Sequence, residues 1–436
     1  MKRLNYLLAG LLSLSLLVAC NKDEDHNGGS ENGKEIYAAF SIKVGSPGTY
    51  ADPLDETGDG VEATVKNVTI YIFKGTTLEA TGSTSISSGV AGTKNIATSL
   101  GQKTIFALVN STGNLVAPPE AVAGVTSLSA FKASLKQALD YANIAKSGDF
   151  LMFGELAVKL DESNTGNSEA TVANPITISV NRISTKVSML YPTEVPKGTL
   201  KGTFSDKFFA LNQTEVDIDI TRELNYEPTT TVYSDSPKDG TFDHLSNIAT
   251  AYKPAQTLDA EVRKFANSLY CLENINTFAT AVDVQTGKLT FVIVKVKYTP
   301  HTDEFEIGGT KIGDTYYSVK QADGTSKIYN DATVAAADGE ITVNNEIQVH
   351  TDGFGYYRLN LGDISKTGTD KLTEKYAVLR NHMYKVSIQS NTGLGVGDPA
   401  DLIPKEPTTP VETSAHMTAN ITVLPWTVVH LPGDLN

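Results

Sequence analysis

Alternation of side-chain character near both ends of the chain most constrains its fold. Every second residue is apolar in a segment near the start, Ile36, Ala38, Phe40, Ile42 and Val44. The same period returns near the end, in Met417, Ala419, Ile421 and Val423. Because successive side chains of a strand point to opposite faces, each segment predicts a strand with one buried face.

Further strand signals fill the chain between these segments. Runs rich in β-branched and aromatic residues occur at 61–73, 104–109, 176–180, 186–190, 289–298, 356–361 and 384–388, which favours strands. One helix is predicted from Leu128, Phe131, Leu135 and Leu139, which share a helical face, with Ser127 or Ser129 available as the N-cap. The pattern predicts a mostly β protein with β-sandwich domains and a minor helical insertion.

Composition suggests where the parts of the chain begin and end. We expect a flexible tether at 20–35, an N-terminal β-sandwich domain at 36–190 and a C-terminal one at 191–395. The boundary is placed at a polar stretch that contains Pro192 and Pro196. A proline-rich linker follows at 396–414, and it separates the last strand segment, 415–436, from the rest. A strand on such a linker need not pack on its own domain.

The first twenty residues predict export as a lipoprotein. Lys2 and Arg3 precede an apolar run from residue 6 to 18 that is too short to span a bilayer. The run ends in a Leu-Val-Ala-Cys sequence that looks like a lipobox, so residues 1–19 are predicted to be a signal peptide cleaved between Ala19 and Cys20. Palmitate and other lipid on Cys20 would anchor the chain to a membrane, and an acidic run after Cys20 is similar to signals for surface export.

The net charge limits the classes of binding partner, and the cysteine content limits the disulfide bonds that can form. The formal net charge is -14, and removal of Lys2 and Arg3 makes it about -16, which argues against nucleic acid as a partner. If Cys20 carries lipid, Cys271 is the only remaining cysteine. No intramolecular disulfide is then possible, and the fold must depend on its cores.

Catalytic and cofactor motifs are absent from the sequence. It contains neither the metalloprotease motif His-Glu-x-x-His nor the hydrolase motif Gly-x-Ser-x-Gly. Residues 55–60 resemble the start of a calcium loop, but Lys66 stands where a bidentate Glu is needed. We therefore predict no metal, no cofactor and no enzymatic activity. Two tyrosine pairs, Tyr316-Tyr317 and Tyr356-Tyr357, are compatible with an alternative in which their rings form a platform for stacking sugars.

Several internal segments together resemble one family. They are Leu379–Ile388 with its Arg380-Asn381-x-x-Tyr384 pattern, Gly393–Gly395, and Ile421–Trp426 with Val-Leu-Pro-Trp. In these residues the chain resembles the Bacteroidetes fimbrillins, the type V pilins, and among them the shaft subunits.

The resemblance implies two transthyretin-like β-sandwich domains and assembly into a surface fimbrium. In that family a protease removes the N-terminal strand, here Ile36–Val44, and the C-terminal strand of another subunit fills the groove. The donor residues would be Met417, Ala419, Ile421, Val423 and Trp426. The implied partners are other fimbrial subunits, including tip and anchor proteins, the outer membrane through the lipid, and host proteins or other bacteria.

One departure from the family leaves alternatives open. The relatives are cut after an arginine in the loop that follows the first strand, whereas the corresponding position here is about Tyr50 and Ala51. The chain has no arginine between Arg3 and Arg182. The hypotheses are a shaft subunit cut by another kind of protease, an uncleaved anchor or accessory fimbrial lipoprotein, and a surface glycan-binding lipoprotein.

Overall fold

The computed structural model describes residues 36–44, 60–85, 94–112, 121–138, 145–168, 172, 174–212, 217–220, 252–306, 313–321, 325–337, 347–402, 411 and 417–425. These residues are mostly in strands, as predicted. The strands are β1 (Ile36–Val44), β2 (Asn67–Lys74), β3 (Thr77–Ser85), β4 (Lys94–Thr98), β5 (Gly101–Val109), β6 (Lys136–Ala138), β7 (Ala145–Lys146), β8 (Asp149–Phe150), β9 (Met152–Leu160), β10 (Thr165–Gly166), β11 (Ile176–Arg182), β12 (Thr185–Leu190), β13 (Thr203–Asn212), β14 (Asp217–Asp219), β15 (Lys253–Pro254), β16 (Ser268–Cys271), β17 (Phe291–Thr299), β18 (Tyr316–Lys320), β19 (Ser326–Tyr329), β20 (Ile347–His350), β21 (Phe354–Asn360), β22 (His382–Asn391) and β23 (Met417–Pro425).

Helices are short. The α-helices are α1 (Leu128–Ser134), α2 (Asp259–Val262), α3 (Ala332–Ala336) and α4 (Leu372–Tyr376). Turns of 3-10 helix lie at Gly60–Ala63, Phe265–Asn267, Ala281–Asp283, Thr286–Lys288, Thr302–Glu304, Thr351–Gly353, Thr369–Lys371 and Pro399–Leu402. Within the described residues, no helix combines the length and apolar character needed to cross a membrane.

The N-terminal half forms one long sheet that encloses a core. Its strand order is β10-β1-β11-β9-β5-β2-β3, and β4 also pairs with β1. Apolar side chains from β1, β4 and β11 pack in one cluster with those from β2 and β5, as in a sandwich. The two parts of the sheet meet where β9 crosses β11, and a Cβ on Gly154 would lie 2.2 Å from the Ser179 carbonyl oxygen. Only a glycine allows this close approach.

The predicted helical insertion covers the outer face of this sheet. Helix α1 begins after Ser127, whose Oγ accepts a hydrogen bond from the Ala130 N–H at 3.2 Å. Phe131 is buried on Tyr71 and Phe106, with ring centroids 4.6 and 5.1 Å apart. The helix is shorter than predicted because residues 136–138 form β6, which pairs with β14. The expected fourth apolar position, Leu139, lies outside the described residues.

The C-terminal half is a sandwich of two four-stranded sheets. One has the order β16-β12-β22-β23 and the other β15-β13-β17-β21. Their inward side chains form a single core, in which Val187, Val386 and Ile421 from the first sheet pack with Val294 and Leu359 from the second. This confirms the predicted mostly β sandwich fold.

The chain passes between the two halves just after β11. Strand β11 belongs to the first sheet, whereas β12 pairs with β16 and β22 of the second sandwich. Only Ile183 and Ser184 separate these two strands. The predicted domain boundary at 190 falls at the end of β12, and the polar stretch that suggested it follows the crossing by one strand.

Candidate strand-exchange site

Strand β1 is paired along both of its edges. Residues 36–40 pair antiparallel with β4 on one edge. On the other edge, Tyr37 and Ala38 pair antiparallel with β10, and residues 40–44 pair parallel with β11. Four predicted inward residues, Ile36, Ala38, Phe40 and Val44, belong to the buried N-terminal core, and Ile42 packs against it partly buried. Taking β1 away would therefore leave an apolar groove with strands on both sides.

Strand β23 is an edge strand of its own domain. It pairs antiparallel with β22, with Val386 opposite Ile421, and among the described strands β22 is its only neighbour in that sheet. Met417 and Ile421 are buried in the C-terminal core, while Ala419 and Val423 pack against that core partly buried. In this structure the expected donor segment thus packs on its own chain.

The remaining predicted site residues cannot be placed. Ala19, Cys20, Tyr50, Ala51 and Trp426 lie outside the described residues. Of the predicted linker, residues 396–402 and 411 are described. Val396 forms an isolated bridge with Tyr356, and the Val411 N–H donates to the Val284 carbonyl oxygen at 3.0 Å. These described parts of the linker lie against the C-terminal half.

A buried charge cluster lies just after the segment that follows β1. Glu62 is fully buried, and its carboxylate is 2.7 Å from Lys186 Nζ, also fully buried. The Tyr270 hydroxyl donates a hydrogen bond to the same carboxylate, and Arg182 Nε donates to the Glu62 carbonyl oxygen at 2.9 Å. Because Lys186 and Tyr270 lie on β12 and β16, Glu62 ties the N-terminal half to the C-terminal sandwich.

Burial and charge oppose each other in this cluster. Burial lowers the pKa of Arg182 to about 10, and the negative charge of Glu62 acts in the opposite direction. The pKa of Tyr270 is raised well above 10, first by burial and then by the Glu62 carboxylate. Both effects keep Tyr270 neutral and able to donate its hydrogen bond at physiological pH.

The structure explains the Arg-Asn-x-x-Tyr pattern as a junction between the halves. Asn381 has a left-handed backbone, with φ 54, and its N–H donates to the Ser184 carbonyl oxygen at 2.9 Å. Its Oδ1 accepts from the Arg182 N–H at 3.2 Å. Arg380 forms a buried ion pair with Glu273. The pattern therefore holds the start of β22 against the crossing between β11 and β12.

Glu62, Lys186 and Tyr270 were not predicted to matter. One signal was available, because Lys186 is the single charged residue between Ile183 and Tyr191. A charge inside a strand buried on both faces requires a buried partner. Nothing in the sequence around Glu62 identifies that partner, which is more than a hundred residues away along the chain.

The two tyrosine pairs, for which a sugar-stacking platform was one alternative, pack within the protein. Tyr316 is 1% exposed and stacks on the His350 ring at 4.5 Å. Tyr357 is buried in the C-terminal core, where its hydroxyl donates to the Gly393 carbonyl oxygen at 2.7 Å. Neighbouring residues of a strand face opposite ways, so neither pair presents two rings to solvent. No cluster of three or more possible metal-ligating side chains occurs in the part of the chain that the structure describes.

Comparisons with known proteins agree with this architecture. A family model described as major fimbrial subunit protein (FimA) matches residues 38–187. A second, described as major fimbrial subunit protein type IV, fimbrillin, C-terminal, matches residues 348–430. Together the two matches span more than half of the chain. A comparison with curated protein sequences found no match.

Solved structures of fimbrial proteins are similar to this chain to different degrees. A fimbrilin (FimA) from Porphyromonas gingivalis W83 is similar with a TM-score of 0.51 and 17% identity, over 90% of this chain and 98% of that one. The C-terminally truncated tip fimbrial protein Mfa3 from Porphyromonas gingivalis has a TM-score of 0.43 and 12% identity, over 90% and 100% of the two chains.

The two sandwiches and the matches together define a class of structural protein, the β-sandwich subunits of surface fibres. The chain belongs to the fimbrillins, the family of major fimbrial subunit proteins. It is thus a structural subunit of a cell-surface fimbrium that assembles with other fimbrial subunits, and it is not an enzyme.

Proposed function

We propose that this subunit polymerises by strand exchange after export as a lipoprotein. Its signal peptide is removed at Ala19, lipid is attached to Cys20, and the precursor is carried to the outer membrane. A protease then cuts near Tyr50 and Ala51, β1 leaves, and the C-terminal strand of another copy fills the groove. Tip and anchor subunits would end the fibre, and host proteins or other bacteria would be the targets of adhesion.

The contrast between β1 and β23 carries this proposal. Strand β1 is paired on both edges, whereas β23 is paired on one edge within the part of the chain that the structure describes. A strand that moves from an edge into a groove gains main-chain hydrogen bonds on its second side and pockets for its inward side chains. An empty groove would expose unpaired edges and apolar surface, which favours aggregation. Strand removal and strand donation should therefore be coupled.

Connectivity makes the exchange possible with one cut. Strand β1 ends at Val44, and the next described residue is Gly60, so cleavage of a single peptide bond in 45–59 separates β1 from the rest. The buried Glu62 cluster would hold the new N-terminal part on both halves of the subunit. The sandwich would thus lose one strand without losing the segment that follows it.

The mature N-terminus of surface material tests the proposal. A start near Ala51, with a ladder on a gel that has not been heated, is the expected result. A start at Cys20 in a single band would contradict polymerisation and would favour the anchor hypothesis. The missing arginine in 45–59 is the observation that keeps an uncleaved anchor or accessory subunit as the second candidate.

Point variants test the donor strand. Ile421→Asp places a charge on the inward face and should abolish the ladder, whereas Thr422→Asp changes an exposed outward position and should not. Met417 and Ile421 also contribute to the core of their own domain, so for both Ile421→Asp and the removal of 415–436 the monomer must first be shown to unfold cooperatively in urea. Normal fibres from Ile421→Asp would exclude this segment as the donor.

A further inference from the structure

The two exchangeable strands match residue by residue when they are aligned in the same direction. Both are nine residues long, Ile36–Val44 and Met417–Pro425. The inward positions then correspond in order: Ile36 with Met417, Ala38 with Ala419, Phe40 with Ile421, Ile42 with Val423, and Val44 with Pro425. This alignment places an apolar residue at every inward position of the groove.

A small residue fixes the register. Ala38 is fully buried, so the core around it is filled by its neighbours and has no room for a long side chain. Among the inward residues of β23, only Ala419 is as small. A shift of two residues in either direction would force Met417 or Ile421 into this position. Close-packed interiors resist such additions.

The direction of the strand follows from the remaining positions. If β23 ran the opposite way with Ala419 still at the place of Ala38, Ala415 and Thr413 would fall at Ile42 and Val44. Two apolar pockets would then be underfilled, and Val423 would lie beyond the groove. Cavities in a core are destabilising. The pockets are filled best when β23 runs in the same direction as β1, which is parallel to β11.

An outward contact supports the same register independently. The Ser41 Oγ lies 3.0 Å from the Thr177 Oγ1 of β11, a hydroxyl pair on the exposed face. In the alignment, Thr422 takes the place of Ser41. The hydroxyl chemistry opposite Thr177 is therefore kept when one strand replaces the other.

From these matches we propose that β23 of a second copy enters the groove parallel to β11, with Ala419 in the place of Ala38 and Thr422 opposite Thr177. This inference rests on the proposed function and adds the register of the exchange. Ala419 is the residue that determines this register, because it alone satisfies the tight position. Thr422 is the outward marker of the register.

Cysteine pairs in assembled fibres test the register directly. Thr177 and Thr422 are both exposed, so the double variant Thr177→Cys, Thr422→Cys should give a covalent ladder with a short thiol-to-thiol cross-linker. Matched pairs combine Thr177→Cys with Asn420→Cys or Leu424→Cys for shifted registers, and with His416→Cys for the reversed direction. The expected yield is several-fold higher for the Thr422 pair than for any other.

Two outcomes would overturn the inference in different ways. Normal fibres whose strongest cross-link involves residue 416, 420 or 424 would refute the register and leave strand exchange standing. Failure of the unmodified subunit to polymerise after cleavage would refute the proposed function and the register together.

A size variant adds a second test. Ala419 is partly exposed on its own domain, so Ala419→Leu should leave the monomer folded and reduce polymer yield at least ten-fold. Val423→Leu is the matched control and should polymerise. Val423 is also an inward residue of β23, and it lies two inward positions closer to the C-terminus than Ala419. Equal yields from both variants would show that residue 419 does not meet a tight position.

Discussion

The Glu62 carboxylate lies 2.7 Å from Lys186 Nζ, and neither side chain is exposed to solvent. With Arg182 beside them, the three residues together carry one negative and two positive charges, so they are not equivalent. Removal of Lys186 leaves Glu62 balanced by Arg182. Removal of the Glu62 charge leaves two cations buried together.

This asymmetry predicts a ranking of stabilities. Breaking a buried ion pair by removing one partner costs about 3–5 kcal/mol. Glu62→Gln should reach that range, and Lys186→Met should cost less, as measured by urea unfolding. Lys264→Met is the control, because Lys264 and Glu261 are 54% and 39% exposed and an exposed pair contributes at most about 1 kcal/mol. A larger loss for Lys186→Met than for Glu62→Gln would contradict the charge balance.

How much of the fold could be predicted from the sequence depends on how far apart along the chain the interacting residues are. The segment Ile36–Val44 was predicted with its observed bounds, because alternation is a local property of the chain. Strand β3 was missed since its edge position leaves it rich in Thr, Ser and Gly, with Leu78 as its one fully buried residue. The pairing of β23 with β22 was not predicted either. The alternation of apolar and polar residues identifies a strand and its buried face. Which strand it pairs with depends on contacts with residues far away in the sequence.

The candidate site divides in the same way. The inward faces of β1 and β23 follow from period two, and both were predicted from sequence. The Glu62 cluster could not be predicted from sequence. It forms because the crossing at Ile183 and Ser184 brings β12 near the segment that follows β1. A lone Glu in a loop is ordinarily solvated, and only the fold makes this one buried.

His350 predicts a loss of stability in acid. Its ring is buried, with Nε2 2.9 Å from Ser318 Oγ and Nδ1 3.1 Å from the Phe354 carbonyl oxygen. Burial lowers its pKa from 6.5 to about 4, so between these values the unfolded chain binds more protons than the folded one. Stability should then fall as the pH decreases from about 6.5 to 4, by on the order of 3 kcal/mol at about 1.4 kcal/mol per pKa unit.

Urea unfolding at pH 7, 5 and 4 measures this effect. Burial lowers the pKa of His382 too, so the informative quantity is the difference between the parent chain and His350→Gln, which should have a flatter pH profile. His301→Gln changes a histidine whose side chain is 54% exposed and serves as the control. Identical profiles for the parent and His350→Gln would exclude this residue as the source.

Cys271 offers a chemical probe of the C-terminal sandwich. It is fully buried in the C-terminal core, and burial raises the pKa of its thiol to about 12. Since the thiolate is the reactive form, a chain starting after Cys20 should not react with iodoacetamide at pH 8 while folded. Alkylation should begin across the urea transition. Rapid labelling in the absence of urea would mean that β16 opens locally.

Tyr384 tests the turn that carries the Arg-Asn-x-x-Tyr pattern. Its hydroxyl accepts from the Leu379 N–H and donates to the Ala377 carbonyl oxygen, both at 2.9 Å. All three residues are buried, so Tyr384→Phe removes one oxygen and leaves two buried backbone groups without this partner. Unsatisfied buried groups cost about 1–3 kcal/mol, and thermal or urea unfolding should show a loss in that range.

A matched variant separates the hydroxyl from general effects of the substitution. Tyr317→Phe makes the same chemical change at a half-buried position on β18 and should alter stability by less than about 0.5 kcal/mol. If both variants unfold like the parent, the Tyr384 hydroxyl contributes nothing to stability. The Arg380 and Asn381 contacts alone would then hold β22 at the crossing between the two halves.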